Sequence, residues 1–217
     1  MILLFAILPP LMIAYYIYQK DKYEKEPKSL IVKSFLLGCI GIIPAIVLES
    51  FAEGLFTSLF LYVFLGIAFV EEGIKYFFLK NYLYKKADFN EPMDGIVYAV
   101  MISLGFATIE NIAYVFGHEG QEIQVAIIRM FSAIPAHALM GVIMGYYVGK
   151  AKFDIDNRKT LLLKGLFGAI LLHGLYNYFL LSKAGLGIFA IVSLVVAYKF
   201  AKRAINESLD SSPFKNI

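Results

Sequence analysis

Charge is scarce in this chain. Charged residues make up 17% of its 217 residues, where a soluble domain carries about a quarter. Hydrophobic residues reach 59%, and mean hydropathy is strongly positive. That balance excludes an ordinary soluble domain and points to an integral membrane protein in one unit. The net charge of +3 comes from basic residues placed between apolar runs, so the expected partner is a lipid bilayer and not a nucleic acid. A single cysteine, Cys39, lies in an apolar segment. It excludes an intrachain disulfide, and its surroundings lack the polarity that activates a thiol. No H-E-x-x-H occurs, which excludes the zincin arrangement. No G-x-S-x-G occurs, and neither Ser103 nor Ser132 has a His–Asp pair placed for it. The N-terminal stretch lacks a basic lead and a small-residue cleavage site. It is expected to stay as a first helix, kinked or restarted at Pro9–Pro10. Inverted repeats of the kind found in many transporters are also missing.

What the chain does have is long apolar runs. They predict an all-α, polytopic fold with seven spans near 2–19, 30–52, 57–80, 93–116, 124–149, 161–182 and 185–203. Residues 1–203 would form one transmembrane domain, and 204–217 a short, frayed polar tail. The last two spans would turn back tightly around Lys183–Gly185. Basic residues alternate by connection. Lys20, Lys22, Lys25, Lys28 and Lys33 precede the second span, Lys80, Lys85 and Lys86 follow the third, and Lys150, Lys152, Arg158, Lys159 and Lys164 follow the fifth. The tail adds Lys199, Lys202, Arg203 and Lys215. The intervening connections carry Glu49 and Glu53, then Glu119 and Glu122. This pattern predicts an outer N-terminus and a cytoplasmic C-terminus. Gly141, Gly145 and Gly149 form one smooth stripe suited to close helix contact, as do Gly38 and Gly41, and Gly165 and Gly168.

Against this apolar background, ionisable residues inside the runs stand out. Glu71, Glu72 and Lys75 lie within 57–80, Glu110 within 93–116, Arg129 and His137 within 124–149, and His173 within 161–182. A charge at the bilayer centre costs about 2.5–3.5 kcal/mol on the lenient insertion scale, so such groups mark function by default. Counting about 1.5 Å per residue from the outer ends puts Glu71 and His137 about 20 Å deep, His173 about 14 Å, and Glu110 about 9 Å. Glu110 is therefore expected a turn or two nearer the outside. Glu71 and Glu72 face about 100° apart, and Lys75 can pair with either. The expectation is one glutamate for chemistry and one for Lys75. Phe106, Glu110 and Tyr114 share a helix face, as do His173 and Asn177. Arg129 is expected to snorkel to the outer interface, and His118 carries no assigned role. A desolvated glutamate suits a general base acting on water, with histidine and asparagine donating to an oxyanion. Two histidines with glutamate could equally hold zinc. Both routes end in peptide hydrolysis within the membrane. A proton- or ion-coupled transporter and a non-catalytic scaffold are the alternatives.

Four motifs in order carry a resemblance: Glu71-Glu72-Gly73-Ile74-Lys75, Phe106-Ala107-Thr108-Ile109-Glu110-Asn111, His137-Ala138-Leu139-Met140-Gly141 and His173-Gly174-Leu175-Tyr176-Asn177. YEKEP at 23–27, EPMDGIVYA at 91–99 and MGYYVGKAK at 144–152 support it. The chain resembles the PrsW family of intramembrane proteases, within the CAAX-protease-like superfamily. The Lys75 spacing and Glu110 favour PrsW over the CAAX prenyl endopeptidase branch. The resemblance implies a bacterial plasma-membrane site-1 protease that cuts a single-span anti-sigma factor on its extracytoplasmic side. It further implies that Glu71, Glu72 and His173 are essential, with Glu110 and His137 in the same site and Lys75, Phe106, Asn111 and Asn177 in support. A metalloprotease classification would make zinc the cofactor, with His137, His173 and Glu110 as candidate ligands. The sequence leaves open whether zinc or glutamate and histidine alone activate the water.

Overall fold

Helix α5 (Pro92–Phe116) is the axis of the structure. It is apolar on every side, and a helix of that kind must be surrounded. Every residue from Glu91 to Thr108 is buried. The computed structural model describes residues 2–182 and 184–216, which are helical throughout apart from turns and connections, with no strand among them. Around α5 pack α1 (Ile2–Lys20), α2 (Lys28–Leu55) and α7 (Ala133–Phe153). The third expected span is one continuous helical rod with a π-helical middle: α3 (Leu59–Leu61), the π-helical stretch Tyr62–Ala68, then α4 (Phe69–Asn81). A short 3₁₀ turn, Leu83–Lys85, leads towards α5. A separate helix α6 (Glu122–Phe131) precedes α7, and α8 (Arg158–Leu181) and α9 (Gly187–Asp210) complete the bundle.

Glycine sets the helix spacing. A Cβ on Gly145 would overlap the Gly95 carbonyl, and one on Gly149 the Pro92 carbonyl. The α7 stripe is thus in backbone contact with the first turns of α5. On the other side of α5, Gly38 of α2 meets the Ile102 carbonyl and Gly105 meets that of Phe35. Close backbone approach is the attractive force left when lipid supplies no hydrophobic drive between helices. The half-buried Cys39 thiol donates to the Gly105 carbonyl at this crossing (3.3 Å), a packing role. The outward faces of α1, α2, α8 and α9 expose large apolar side chains such as Met12, Ile43, Phe167 and Val196. Exposed apolar area on this scale fits a lipid-facing girdle.

Five runs are long and apolar enough to cross a membrane: α1, α2, α5, the α6–α7 run and α8. Length and composition therefore qualify five of the seven expected spans. The third is a continuous helix from Leu59 to Asn81 that carries Glu71, Glu72 and Lys75. The last is diluted by Lys199, Lys202 and Arg203. Three local expectations need correction. Pro9 and Pro10 neither end nor restart α1, which runs through both. Glu49 and Glu53 belong to α2 and not to an outer loop. The chain after Ala204 is not frayed. It stays helical to Asp210, where Ala197, Ala201, Ala204 and Ser208 form a small, buried face and Leu209 joins the apolar cluster that holds Met93 and Ile96. The expected turn residue Lys183 lies outside the described residues.

Gly145→Val should break the α5–α7 contact, since overpacking costs about 1–3 kcal/mol or more. The thermal midpoint in detergent is expected to fall by several degrees. Gly187→Ala, with open space around it, should leave it unchanged.

Candidate active site

Lys75 is the centre of a buried ion cluster. Its ammonium donates to Glu71 Oε2 at 3.1 Å and to Glu72 Oε1 at 2.7 Å, and lies 3.1 Å from His137 Nδ1. These three contacts use all three ammonium protons. The Phe106 ring covers the ammonium at 4.3 Å from its centroid. Lys75, Glu72 and Glu71 are 1%, 0% and 4% exposed, so the charges are neutralised within the protein or not at all. Lys75 pairs with both glutamates and not with one, so ion pairing does not by itself divide their roles. Burial separates them instead. Glu71 lines a cavity of about 440 Å³, and Glu72 is sealed behind it.

From this centre the contacts run in two directions. Glu72 Oε1 accepts from His173 Nδ1 (2.9 Å) on α8. That bond fixes the ring and leaves Nε2 for the cavity, which His173 also lines. In the other direction, His137 Nε2 meets Glu110 Oε2 at 2.9 Å. With Nδ1 accepting from Lys75, the network assigns His137 as a neutral Nε2–H imidazole. Glu110 Oε2 also accepts from Arg129 Nη2 (2.7 Å), and Arg129 Nε donates to Asn111 Oδ1 (2.9 Å). Asn111 Nδ2 then donates to the Ala6 carbonyl of α1 (2.9 Å). That carbonyl is free because its helical donor would be residue 10, and Pro10 has no N–H.

The structure brings Glu71, Glu72, Lys75, Glu110, His137 and His173 into one network, with Phe106 and Asn111 attached to it. Asn177 lies on the cavity wall one turn after His173, and its side chain makes no hydrogen bond among the described residues. Two expectations are overturned. Glu110 is not a turn or two outside His137, since the two side chains touch. The depth count assumed one continuous helix, but the chain breaks at Ser132, and Pro135 sits in the first turn of α7. His137 is therefore near the start of a new helix. Arg129 does not snorkel outward. It turns in to Glu110, 13% exposed in its side chain, and lies 4.0 Å from the Tyr114 ring centroid. Glu49, half-buried on the cavity wall, went unnoticed as a site residue. Its i+3 relation to Ala52, within an apolar run that continues to Leu55, was the available signal.

Metal ligation was expected from His137, His173 and Glu110. His137 touches Glu110 (2.9 Å) and packs edge-on against the His173 ring (5.6 Å between centroids). Within this site the described trio with ligand atoms within 4.8 Å of one another is Glu71, Glu72 and His137. Its donor chemistry, carboxylate and imidazole, suits zinc. Glu72 Oε2 is buried and unpartnered, and three carboxylates (Glu71, Glu72, Glu110) face two fixed cations (Lys75, Arg129). The residues therefore fit a cation, with the Lys75 ammonium now among them.

Residues 26–201 match the family described as PrsW family intramembrane metalloprotease. The chain belongs to the PrsW family. Among the relatives of this PrsW-family chain, Protease PrsW of Geobacillus kaustophilus is 35% identical over 205 residues, covering 94% of this chain and 90% of that protein. Protease PrsW of Bacillus subtilis is 39% identical over 178 residues, covering 81% and 80%. That of Oceanobacillus iheyensis is 40% identical over 177 residues, covering 81% and 80%. No solved structure matches. The apolar girdle and five membrane-length helices agree with a multi-pass bacterial membrane protein of this family.

Removing the ammonium should be the most damaging single change in the cluster. Lys75→Met strands two buried carboxylates, at a cost of about 3–5 kcal/mol. The double variant Lys75→Met/Glu72→Gln should recover part of that loss, read as the thermal midpoint in detergent.

Proposed function

We propose that this membrane protease hydrolyses a peptide bond at the cavity wall formed by Glu71 and His173, with Glu71 as the general base. The observation that carries this reading is the asymmetry of the glutamate pair: Glu71 on the cavity, Glu72 behind it holding His173. Glu71 takes a proton from water as the water oxygen attacks the scissile carbonyl, and later returns it to the leaving nitrogen. His173 aims Nε2 at the same point, and the Asn177 amide donates to the oxyanion. Glu72 and Lys75 position these groups. His137 and Glu110, with Arg129, brace the other wall. Zinc would be held by Glu71, Glu72 and His137, and when bound it supplies Lewis-acid polarisation of water or carbonyl. Neither the transporter nor the CAAX-type alternative is favoured by the family match.

The substrate class we propose is a single-span membrane protein of the anti-sigma factor type, cut on its extracytoplasmic side. The apolar part of the cavity wall, with Ile42, Ile46, Ile128 and Leu180, supports an apolar chain as guest. The alternating basic connections support seven crossings, an outer N-terminus and a cytoplasmic C-terminus.

Co-expression with a tagged single-span anti-sigma factor tests this. Glu71→Gln should lower cleavage by about a hundredfold or more, and Asn177→Ala by about a hundredfold, with both variants still folded in the membrane. Wild-type cleavage by folded Glu71→Gln would falsify the assignment of the base. A second measurement addresses the ion. Cleavage by purified protein should fall on chelation and return with zinc. Full activity in chelator would assign water activation to Glu71 and His173 alone.

A further inference from the structure

About 24 Å along α5 from Glu110, at 1.5 Å per residue, lies a second set of buried acids that the proposed chemistry does not use. Asp21 follows α1, Glu26 sits in the connection to α2, and Asp94 is in the first turn of α5. They are 0%, 1% and 0% exposed, and their carboxylate oxygens come within 4.8 Å of one another. Glu91, also fully buried, lies against Asp21. Here the YEKEP and EPMDGIVYA stretches meet.

These acids lack a counter-charge. Among the described residues none of the four makes a salt bridge. The nearby Lys25 ammonium donates to the Asp21 backbone carbonyl and not to its carboxylate (2.9 Å), and Lys152 donates to the Tyr84 carbonyl. Some oxygens are satisfied. Asp94 Oδ2 accepts from the Asn90 and Glu91 N–H groups (2.6 and 2.8 Å), Asp21 Oδ2 from the Glu26 N–H (3.4 Å), and Glu26 Oε2 from the Tyr98 hydroxyl. Asp21 Oδ1, Glu26 Oε1 and Asp94 Oδ1 are buried and accept from no N–H or hydroxyl group, while Glu26 lies within hydrogen-bonding reach of Asp94, and Asp21 of Glu91. A buried unpaired oxygen is costly, and a buried unpaired charge more so. Burial, then repulsion from Glu91 and Asp94, pushes the Asp21 carboxyl up to about 8. Burial and the neighbouring acids push Glu26 up to about 11. Positive charge must come from protons or from a cation. A proton joins two oxygens, whereas an ion can satisfy several at once.

We propose that Asp21, Glu26 and Asp94, with Glu91 beside them, bind a hard divalent cation of the magnesium and calcium class, which clamps the α1–α2 connection to the start of α5. The donors are all oxygen, and they include neither sulfur nor imidazole, which selects hard ions over zinc. The site is independent of the protease chemistry.

The test uses purified full-length protein in detergent, stripped with chelator and titrated with magnesium, calcium or manganese chloride. Magnesium or calcium at about a hundredfold excess over the dissociation constant is expected to raise the thermal midpoint by about 5–10 °C. Manganese should give the electron paramagnetic resonance signal of an oxygen-bound ion, displaced by whichever of magnesium and calcium is the better ligand. Glu26→Gln should abolish both responses, with Asp21→Asn as the second variant if the first does not fold. Glu71→Gln should keep both. No bound manganese and no thermal shift in the wild type, or undiminished binding in the folded Glu26→Gln and Asp21→Asn variants, overturns the proposal.

Discussion

Hydrocarbon supplies neither counter-ions nor hydrogen-bond partners, and that constraint organises the interior of this protein. The Lys75 ammonium answers it with three contacts, to Glu71, Glu72 and His137, and a fourth to the Phe106 face. Through those residues one side chain couples α4, α5 and α7, and Glu72 extends the coupling to α8. Such a cluster is a weak source of net stability, because desolvating the ions offsets much of their attraction. Its value lies in specificity. Any other packing of the same helices would leave at least one ion unpaired in a medium that cannot solvate it.

Irregular backbone gathers around the same place. The π-helical stretch before α4, the break at Ser132 between α6 and α7, and the two prolines of α1 all lie on elements joined to the cluster. Phe64 of the π-helical stretch packs where a side chain on Gly174 would otherwise stand, next to His173. Inside a membrane, such departures persist where protein or a polar cavity satisfies the freed groups. They allow three carboxylates and two imidazoles from four elements to converge, which straight rods of fixed register would prevent.

Much of this was legible in the chain. Long apolar runs located almost every helix, and the glycine stripe on α7 identified its contact with α5, because both signals are local. The four motifs named the residues of the cluster, since ionisable groups in apolar runs are conspicuous. Partner choice was not legible. Arg129 was assigned to the interface and Glu110 to a shallower level, because a residue count along a helix cannot register the break at Ser132. The two glutamates were distinguished only by packing. Glu49 was lost to a loop because α2 runs further than its hydropathy suggested. Lys75 was expected to choose one partner, and only the third contact, to His137 from a distant part of the chain, explains why it keeps both.

Pro10 leaves the Ala6 carbonyl without its own helical donor, and Asn111, encoded a hundred residues later, supplies one. The Ala6 carbonyl of α1 is therefore satisfied by a tertiary contact with α5 and not by its own helix. Because Asn111 also holds Arg129, closing that gap at the first helix and seating the arginine against Glu110 are a single event. One asparagine thus ties α1 to the wall of the cavity.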